Sequence, residues 1–408
     1  MLRRPTLRQF GPLRLPGFRL LFCSTLASSL GTLLAQIALA IDVKDRTNSG
    51  LWVGAVLVVG FLPTILVGLT LGPLIDRLER RKLMVGADLV RAVVFFALVF
   101  VGSAGGIVAL AFVAGLATGF FRPAVYAGIP NLVSEEDLPH ANALLQAVEN
   151  ASWAIGPILG GLLTAATSPH AAYWINAVSF LISAALIVRI PARLLQSATA
   201  LTRGHWTDLK DGFRAVLESR ILLAVLLAWG FAGLGIGSVS VSEVFLAKNT
   251  FHAGDFGYGL LFGGIGTGLV IGSFWSSSIQ ARLGIARTYG IAIAVMGIGF
   301  GLGSLAPDVW VAALCCVVGG IGDGVAIVCN ALLVQTGARD EIRGRALTVL
   351  MSGTMLVQAI GTILAGALMP ADGARWVWGA GGIVFLIASV IGYLLAREPT
   401  RATAPAAV

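Results

Sequence analysis

The stretch LPTILVGLTLGPLIDRLERRK, Leu62–Lys82, opens with an uninterrupted apolar run and closes on a burst of charge: Asp76, Arg77, Glu79, Arg80, Arg81 and Lys82. No charged residue stands between Arg46 and Asp76. A helix that crosses a bilayer needs roughly 20 mostly apolar residues, and the 29 uncharged residues from Thr47 to Ile75 supply them. The charge burst then marks where the chain leaves the hydrocarbon.

The same alternation continues in both directions. Twelve apolar runs can be read, centred near Leu30, Leu62, Phe95, Gly115, Ala154 and Ser179, then near Leu234, Gly268, Val295, Gly319, Leu356 and Ile387. Hydrophobic residues make up 57% of the chain and charged ones 12%. A water-soluble domain carries about twice that charge, so much of this surface must meet lipid. The sequence predicts an all-α polytopic membrane protein.

The loops differ in charge. Arg3, Arg4, Arg8, Arg14 and Arg19 lie at the N-terminus, and further basic residues fall at 77–82, at 189–220, at Arg282 and Arg287, at 339–345, and at Arg397 and Arg401. That set holds 22 basic residues against four in the alternate loops, Lys44, Arg46, Lys248 and Arg375, leaving out Arg91 and Arg122 near helix ends. The positive-inside rule then places both termini in the cytoplasm of a cell (inner) membrane. The Arg-rich start has no small-residue cleavage site after it, so the first apolar run reads as a retained helix.

The longest polar stretch, about Pro191 to Arg220, divides the spans six and six. Three parts are expected: an N-terminal six-helix bundle (1–190), a cytoplasmic linker (191–220) and a C-terminal six-helix bundle (221–408). Within the linker, Leu209, Phe213, Val216 and Leu217 recur at helical spacing after Asp208, a plausible N-cap, which predicts a short amphipathic helix on the membrane surface. The halves look like repeats. Gly156-Pro157-Ile158-Leu159-Gly160-Gly161 resembles Gly361-Thr362-Ile363-Leu364-Ala365-Gly366, and parallel repeats of this kind place a substrate site near the midplane between them.

The loop Gly72-Pro73-Leu74-Ile75-Asp76-Arg77-Leu78-Glu79-Arg80-Arg81 resembles the signature between the second and third helices of the major facilitator superfamily. Asp76, Arg77, Arg80 and Arg81 match it, and Glu79 replaces its usual glycine. Gly156-Pro157-x-x-Gly160 resembles, in part, an element of antiporters in that superfamily, with Ser152 and Leu144 at its upstream glycine positions. Asp88-x-x-Arg91, Phe121-Arg122-Pro123-Ala124, Ile129-Pro130-Asn131-Leu132-Val133, Ala141-Asn142-Ala143-Leu144 and Asn176-Ala177-Val178-Ser179-Phe180 are similar to the subgroup containing the enterobactin exporter and macrolide efflux proteins. The resemblance covers nearly the whole chain. It implies secondary active, proton-driven export of amphipathic small molecules such as drugs or siderophore-like metabolites. An importer of a nutrient with the same fold stays open, as does, more remotely, a membrane receptor that moves nothing.

Ionisable residues inside a span are expensive and therefore functional candidates. Glu149, Asp323, Asp42 and Glu243 are candidates for carrying a proton as access alternates. For Glu149 the alternative is a fixed hydrogen bond to a neighbour such as Asn150 or a partner arginine, for Asp323 a structural contact at a helix crossing, and for Asp42 and Glu243 contact with interfacial water. Gly72, Asp76, Arg77, Arg80, Arg81, Asp88, Arg91 and Arg122 form a candidate charge network that can be made in one conformation and broken in another. Pro157 frees the carbonyl of Trp153, so Gly156, Pro157 and Gly160 mark an expected bend and a close helix approach. Gln36, Tyr126, Trp153, Asn176, Trp229, Phe231, Asn330 and Gln358 are candidates to line a cavity, whereas Trp174, Trp376 and Trp378 are expected at the interface.

Several classes are excluded. The basic residues do not gather on a face suited to nucleic acid. The Gly-rich strings lack the Gly-Lys-Ser/Thr ending of a phosphate loop, which argues against an ATP-driven pump. No cysteine or histidine pattern proposes a metal or disulfide framework, and no set of catalytic groups suggests an enzyme. The expected partners are a small-molecule substrate, protons and lipid, with no cofactor and no oligomer required.

Overall fold

The computed structural model describes the backbone of residues 7–196, 205–338, 343–370 and 373–395, and their side chains apart from 7–9, 72–77, 205–209 and 343. Among the described residues there is no strand. The helices are α1 (Pro16–Thr47), α2 (Gly50–Val59), α3 (Leu62–Arg77), α4 (Arg80–Leu98), α5 (Ala104–Gly128), α6 (Leu138–Ala166) and α7 (Pro169–Val188). They continue as α8 (His205–Glu218), α9 (Arg220–Phe245), α10 (Gly254–Leu283), α11 (Ile285–Ser304), α12 (Val309–Gly337), α13 (Arg343–Leu368) and α14 (Ala374–Leu395).

Local chemistry explains several ends. Pro16, in the first turn of α1, has no N–H to leave unpaired. The helix stops at Asn48 in the left-handed region, φ 46°, whose N–H bonds Lys44 O at 2.7 Å. Asp308 caps α12, accepting from the N–H groups of Trp310 at 2.9 Å and Val311 at 3.0 Å. Gly284, at φ 76°, turns α10 into α11.

Among the described residues, ten helical segments are long and apolar enough to cross a bilayer, with α2 and α3 counting together as Gly50–Leu71. The expected spans near Phe95 and Ala154 lie in α4 and α6, which are helical but more polar. Arg80, Arg81, Lys82, Asp88 and Arg91 fall in the first, and Asn142, Gln146, Glu149 and Asn150 in the second. The amphipathic linker helix is α8. It begins at His205, three residues before the expected N-cap at Asp208, whose side chain lies outside the described residues. Val216 of α8 is buried while Phe213 and Leu217 are exposed.

The chain divides into two compact units. The first comprises Met1–His205, Ser240–Gly266 and Thr362–Arg375. Within it α1 packs on α6 and α7, α4 on α5 and α7, and α3 on α5. Its core near the loop ends of these helices gathers Phe18, Leu21, Met84, Phe121, Ile129, Leu145, Ile187 and Ile190. The second unit comprises Trp206–Val239, Thr267–Gly361 and Trp376–Val408. There α11 and α12 lie backbone to backbone: a methyl group placed on Gly299 would stand 2.8 Å from the Cα of Gly319. Small residues let helices approach this closely where lipid offers no hydrophobic drive between them.

One interface assignment is corrected. Trp376 is 82% exposed and Trp174 is also exposed, but Trp378 is 1% exposed. The Trp378 ring packs edge-on to Phe300 at 6.3 Å. Trp376 and Trp378 are two positions apart on α14, about 200° of helix rotation, so one faces outward and the other into the unit.

Candidate functional site

Helices α5 and α6 together present an accessible charged pair. Arg122 and Tyr126 lie one turn apart on α5, and Glu149 and Trp153 one turn apart on α6, so each pair shares a helix face. Arg122 donates from Nη2 to Glu149 Oε2 at 3.1 Å, and the Tyr126 hydroxyl donates to Oε1 at 3.0 Å. The Arg122 side chain is 54% exposed and that of Glu149 19%. Trp153 is partly exposed and stacks on Phe262 of α10, centroids 5.7 Å apart and planes at 16°. An exposed guanidinium within a span does not face lipid; such groups face the interior or a water-filled path. On this side α5 and α6 leave the Arg122 side chain more than half exposed.

A second arginine–carboxylate pair is sealed. Asp88 and Arg91 of α4 form a buried ion pair, and Ser183 of α7 donates to Asp88 Oδ2 at 2.7 Å. The Arg91 guanidinium lies between the rings of Phe121 and Phe180, 4.2 and 4.3 Å from their centroids. Cation–π contact of this kind is strongest when desolvated, and here it pins α4, α5 and α7 together.

Asp42 is likewise held. Arg46 grips both its oxygens, at 2.6 and 3.3 Å, and the Tyr173 hydroxyl donates to Oδ2 at 3.0 Å. Arg46 also reaches Gly102 O at 2.9 Å. In contrast, Glu243 of α9 is fully buried and its Oε1 meets no partner. Asp323 of α12 is half-buried between Gly322 and Gly324. Gly322 lies against the α11 backbone, with its methyl position 2.5 Å from Ala292 O, and Gly324 lies against Leu269 of α10.

At the loop between α3 and α4, Arg80 donates from Nη1 to Ala127 O at 2.8 Å and Leu195 O at 2.9 Å. Arg81 reaches Ile190 O at 3.4 Å. These carbonyls close the ends of α5 and the segment after α7, where the helix dipole favours a cation. Glu79, in the place of the usual glycine, pairs with Lys82 at 2.8 Å and Arg81 at 3.6 Å. Gly72, Asp76 and Arg77 continue the backbone of α3, and their side chains lie outside the described residues. The structure thus separates the expected charge network into three places: Arg80 and Arg81 at the loop, Asp88 and Arg91 in the sealed pair, and Arg122 on the accessible face.

The Gly156-Pro157-x-x-Gly160 element is a crossing point for two helices. Methyl groups placed on Gly156 and Gly160 would stand 2.8 Å from Leu33 Cβ and 2.6 Å from Leu34 O of α1. On another side of α6, the methyl positions of Gly266 and Gly259 of α10 lie 2.6 Å from the carbonyl oxygens of Trp153 and Pro157 respectively. The carbonyl that Pro157 leaves without its helical partner is thus the one α10 approaches, through a glycine.

The other cavity candidates spread over both units. Asn176 is fully buried, with its Oδ1 accepting from Ser179 Oγ at 3.1 Å, and its Nδ2 has no partner. Gln36 of α1 is half-buried. In the second unit Phe231 of α9 is exposed, and Trp229 of α9, Asn330 of α12 and Gln358 of α13 are half-buried. Among the described residues no three His, Cys, Asp or Glu side chains gather in a way that could hold a metal ion.

Sequence reasoning assigned Lys248 only to a sparse set of loop charges. It sits on a π-helical turn, Leu246–Thr250, that ends α9, and its Nζ bonds Asp45 Oδ2 at 2.6 Å and Asp255 Oδ1 at 2.5 Å. Arg375 stacks over Phe251 of the same connection at 5.1 Å. The signal for this clasp was the scarcity of cations in that loop set, where each one has few competitors for a nearby acid.

The comparisons with known proteins agree with this architecture. Residues 7–407 match the family described as transmembrane secretion effectors of the major facilitator superfamily. The multidrug efflux pump Tap of Mycolicibacterium fortuitum is 28% identical over 400 residues, 93% of this chain and 95% of that protein. Macrolide efflux protein A of Streptococcus pyogenes is 25% identical over 392 residues, 91% of this chain and 94% of that protein. Among solved structures, a bacterial homologue of the iron transporter ferroportin in an inward-facing state superposes with a TM-score of 0.75 at 18% identity, covering 95% of this chain and 99% of that one. The nucleoside transporter NupG gives 0.73 at 14% identity, covering 94% and 100%. These identities establish the fold and not the cargo. With its apolar helices and a match along nearly its whole length, the chain is a multi-pass membrane protein that belongs to the transmembrane secretion effector family of major facilitator transporters.

Proposed function

We propose that this chain is a secondary active exporter of amphipathic small molecules, drugs or siderophore-like metabolites, driven by protons moving inward. Alternating access would operate through two six-helix bundles, 1–190 and 221–408, joined by the linker 191–220. In this reading α4 and α6 cross the membrane with the ten more apolar segments. The transporter sits in the cell (inner) membrane as a monomer with both termini in the cytoplasm.

The observation that carries the reading is the accessible Arg122–Glu149–Tyr126 cluster beside the Trp153 ring. A carboxylate reachable from water and an aromatic shelf one turn away suit a solute that is part charged and part apolar. The printed functions of the relatives, multidrug and macrolide efflux, favour export over import. Glu149, Asp323 and Glu243 are the proton carriers of choice, because the carboxylate of Asp42 is already gripped by Arg46 and Tyr173. The network from Gly72 to Arg81 would steady one conformation.

The test is efflux of ethidium from cells expressing the protein, with and without a protonophore. The same assay runs on Glu149→Gln, Asp323→Asn, Glu243→Gln and Asp76→Asn at matched expression. Protonophore-sensitive efflux lost in Asp323→Asn or Glu243→Gln names that carboxyl as the carrier, whereas a loss in Glu149→Gln names Glu149 only if ethidium binding is unchanged. Efflux that survives collapse of the proton gradient would overturn the coupling.

A further inference from the structure

We infer that Arg122 is an internal competitor for Glu149, and that the solute class this site takes is a flat aromatic organic cation that displaces it. The inference rests on the export reading and deepens it.

Apart from Arg81–Glu79 at the loop, three arginine–carboxylate pairs join helix residues of the first unit among the described residues, and they differ in how firmly the arginine is kept. Arg46 holds Asp42 with two nitrogens and spends a third on Gly102 O. Arg91 is buried with Asp88 between two aromatic rings. Arg122 touches Glu149 through one nitrogen, Nη2 at 3.1 Å, and more than half of its side chain is exposed, 54%. A single exposed contact of this kind contributes at most about 1 kcal/mol, far less than a bidentate or desolvated pair. Arg122 can leave at small cost, because one contact holds it and more than half of its side chain is already exposed.

Glu149 cannot leave as easily. Its side chain is 19% exposed and Oε1 stays on the Tyr126 hydroxyl at 3.0 Å. An incoming cation would therefore meet an oriented carboxylate whose other oxygen, Oε2, is occupied only by a replaceable partner. One turn along α6 the exposed ring of Trp153, braced from behind by Phe262, offers a flat face. A planar cation can stack on that face while its charge replaces the guanidinium, gaining cation–π contact and an ion pair together. A neutral aromatic gains only the stack. An anion would pair with Arg122 and leave the carboxylate of Glu149 without its cation. Arg122 then sets selectivity by a threshold: a solute must outcompete it to reach Oε2.

Purified protein in lipid nanodiscs tests this with two probes, ethidium, a planar permanent cation, and chloramphenicol, an uncharged aromatic. Dissociation constants are measured for the wild type, R122Q, E149Q and the double variant. R122Q is expected to tighten ethidium binding about fivefold, the factor equivalent to a contact of about 1 kcal/mol. E149Q should weaken it, and the double variant should match E149Q, because the arginine has nothing left to compete for. Chloramphenicol binding should stay within about twofold throughout, which also reports correct folding. R122K, which keeps the charge without the planar fork, should fall between the wild type and R122Q. Unchanged or weaker ethidium binding in R122Q or R122K, with chloramphenicol binding intact, overturns the competition and leaves the export reading standing. So does a tightening that persists in the E149Q background. If the wild type binds neither probe and expels neither from cells, the export reading fails and this inference falls with it.

Discussion

Lys248, on the π-helical turn after α9, donates from Nζ to Asp45 Oδ2 at the end of α1, 2.6 Å away across 203 residues of sequence. Asp255, at the start of α10, receives the same ammonium at 2.5 Å. One cation thus ties together three chain segments of the first unit, with Lys44, 3.9 Å from Asp45, as a more distant second cation.

Replacing Lys248 with Met should free this connection. Backbone amides over 244–256 are expected to exchange with deuterium about fivefold faster, the size of a partly exposed ion pair. The reversed pair, Lys248→Asp with Asp45→Lys, should recover part of the protection. Equal exchange in the wild type and in Lys248→Met would mean that the ammonium holds nothing.

The sealed pair predicts a larger loss. Arg91→Met leaves Asp88 buried with only the Ser183 hydroxyl, and stranding one partner of a buried pair costs about 3–5 kcal/mol. Thermal unfolding in detergent should fall by several degrees. Arg91→Lys keeps the charge but loses the flat guanidinium between Phe121 and Phe180, so it should unfold between the two. A melting temperature equal to wild type in Arg91→Met would rule out a structural role for the pair.

The α6–α10 crossing is intolerant of bulk. A methyl group on Gly161 would stand 2.7 Å from Asp255 O and 2.8 Å from Gly259 Cα, and backbone cannot step aside as a side chain can. Gly161→Val should therefore destabilise by about 1–3 kcal/mol, the range for overpacking. Gly102→Ala, where nothing lies within 4 Å of the new methyl, is the control. Identical unfolding curves for the two variants would show that α6 and α10 do not meet as described.

Arg80 is expected to hold the segment after α7. Arg80→Gln removes the charged donor from Ala127 O and Leu195 O, each such bond contributing about 1.5–3 kcal/mol. Amides of 192–196 should then lose protection from deuterium exchange. Retained protection there would assign the docking of this segment to Asn131, whose Nδ2 donates to Leu195 O at 3.4 Å, instead.

Much of the architecture was legible from composition and spacing. The Asp88–Arg91 and Asp42–Arg46 pairs are three and four residues apart, so helix geometry alone brings them together. The sequence reading grouped Asp88 and Arg91 but did not pair Asp42 with Arg46, a spacing it could have used. Glu149 was singled out for its charge inside a span, while its partner Arg122 lies 27 residues away on another helix and was placed with the loop network. The interface role expected for Trp378 failed for the same reason: apolar character along a helix says that a residue avoids water, but not whether it meets lipid or protein.

What the sequence determined by itself was the kind of molecule: apolar runs of bilayer length, charge confined to their ends, and a loop that resembles one transporter superfamily. These follow from local quantities, the transfer of side chains from water and the i, i+4 geometry of a helix, which need no knowledge of neighbours. Which side chains meet was decided by the tertiary structure. The rotation of α6 and α10 is set where glycines such as Gly156, Gly161 and Gly259 let backbones touch, and the packing of the unit as a whole buries Arg91, grips Asp42 and leaves Arg122 exposed. Three arginines of the same chemistry acquire three different environments because packing, not composition, fixes the angle at which each leaves its helix.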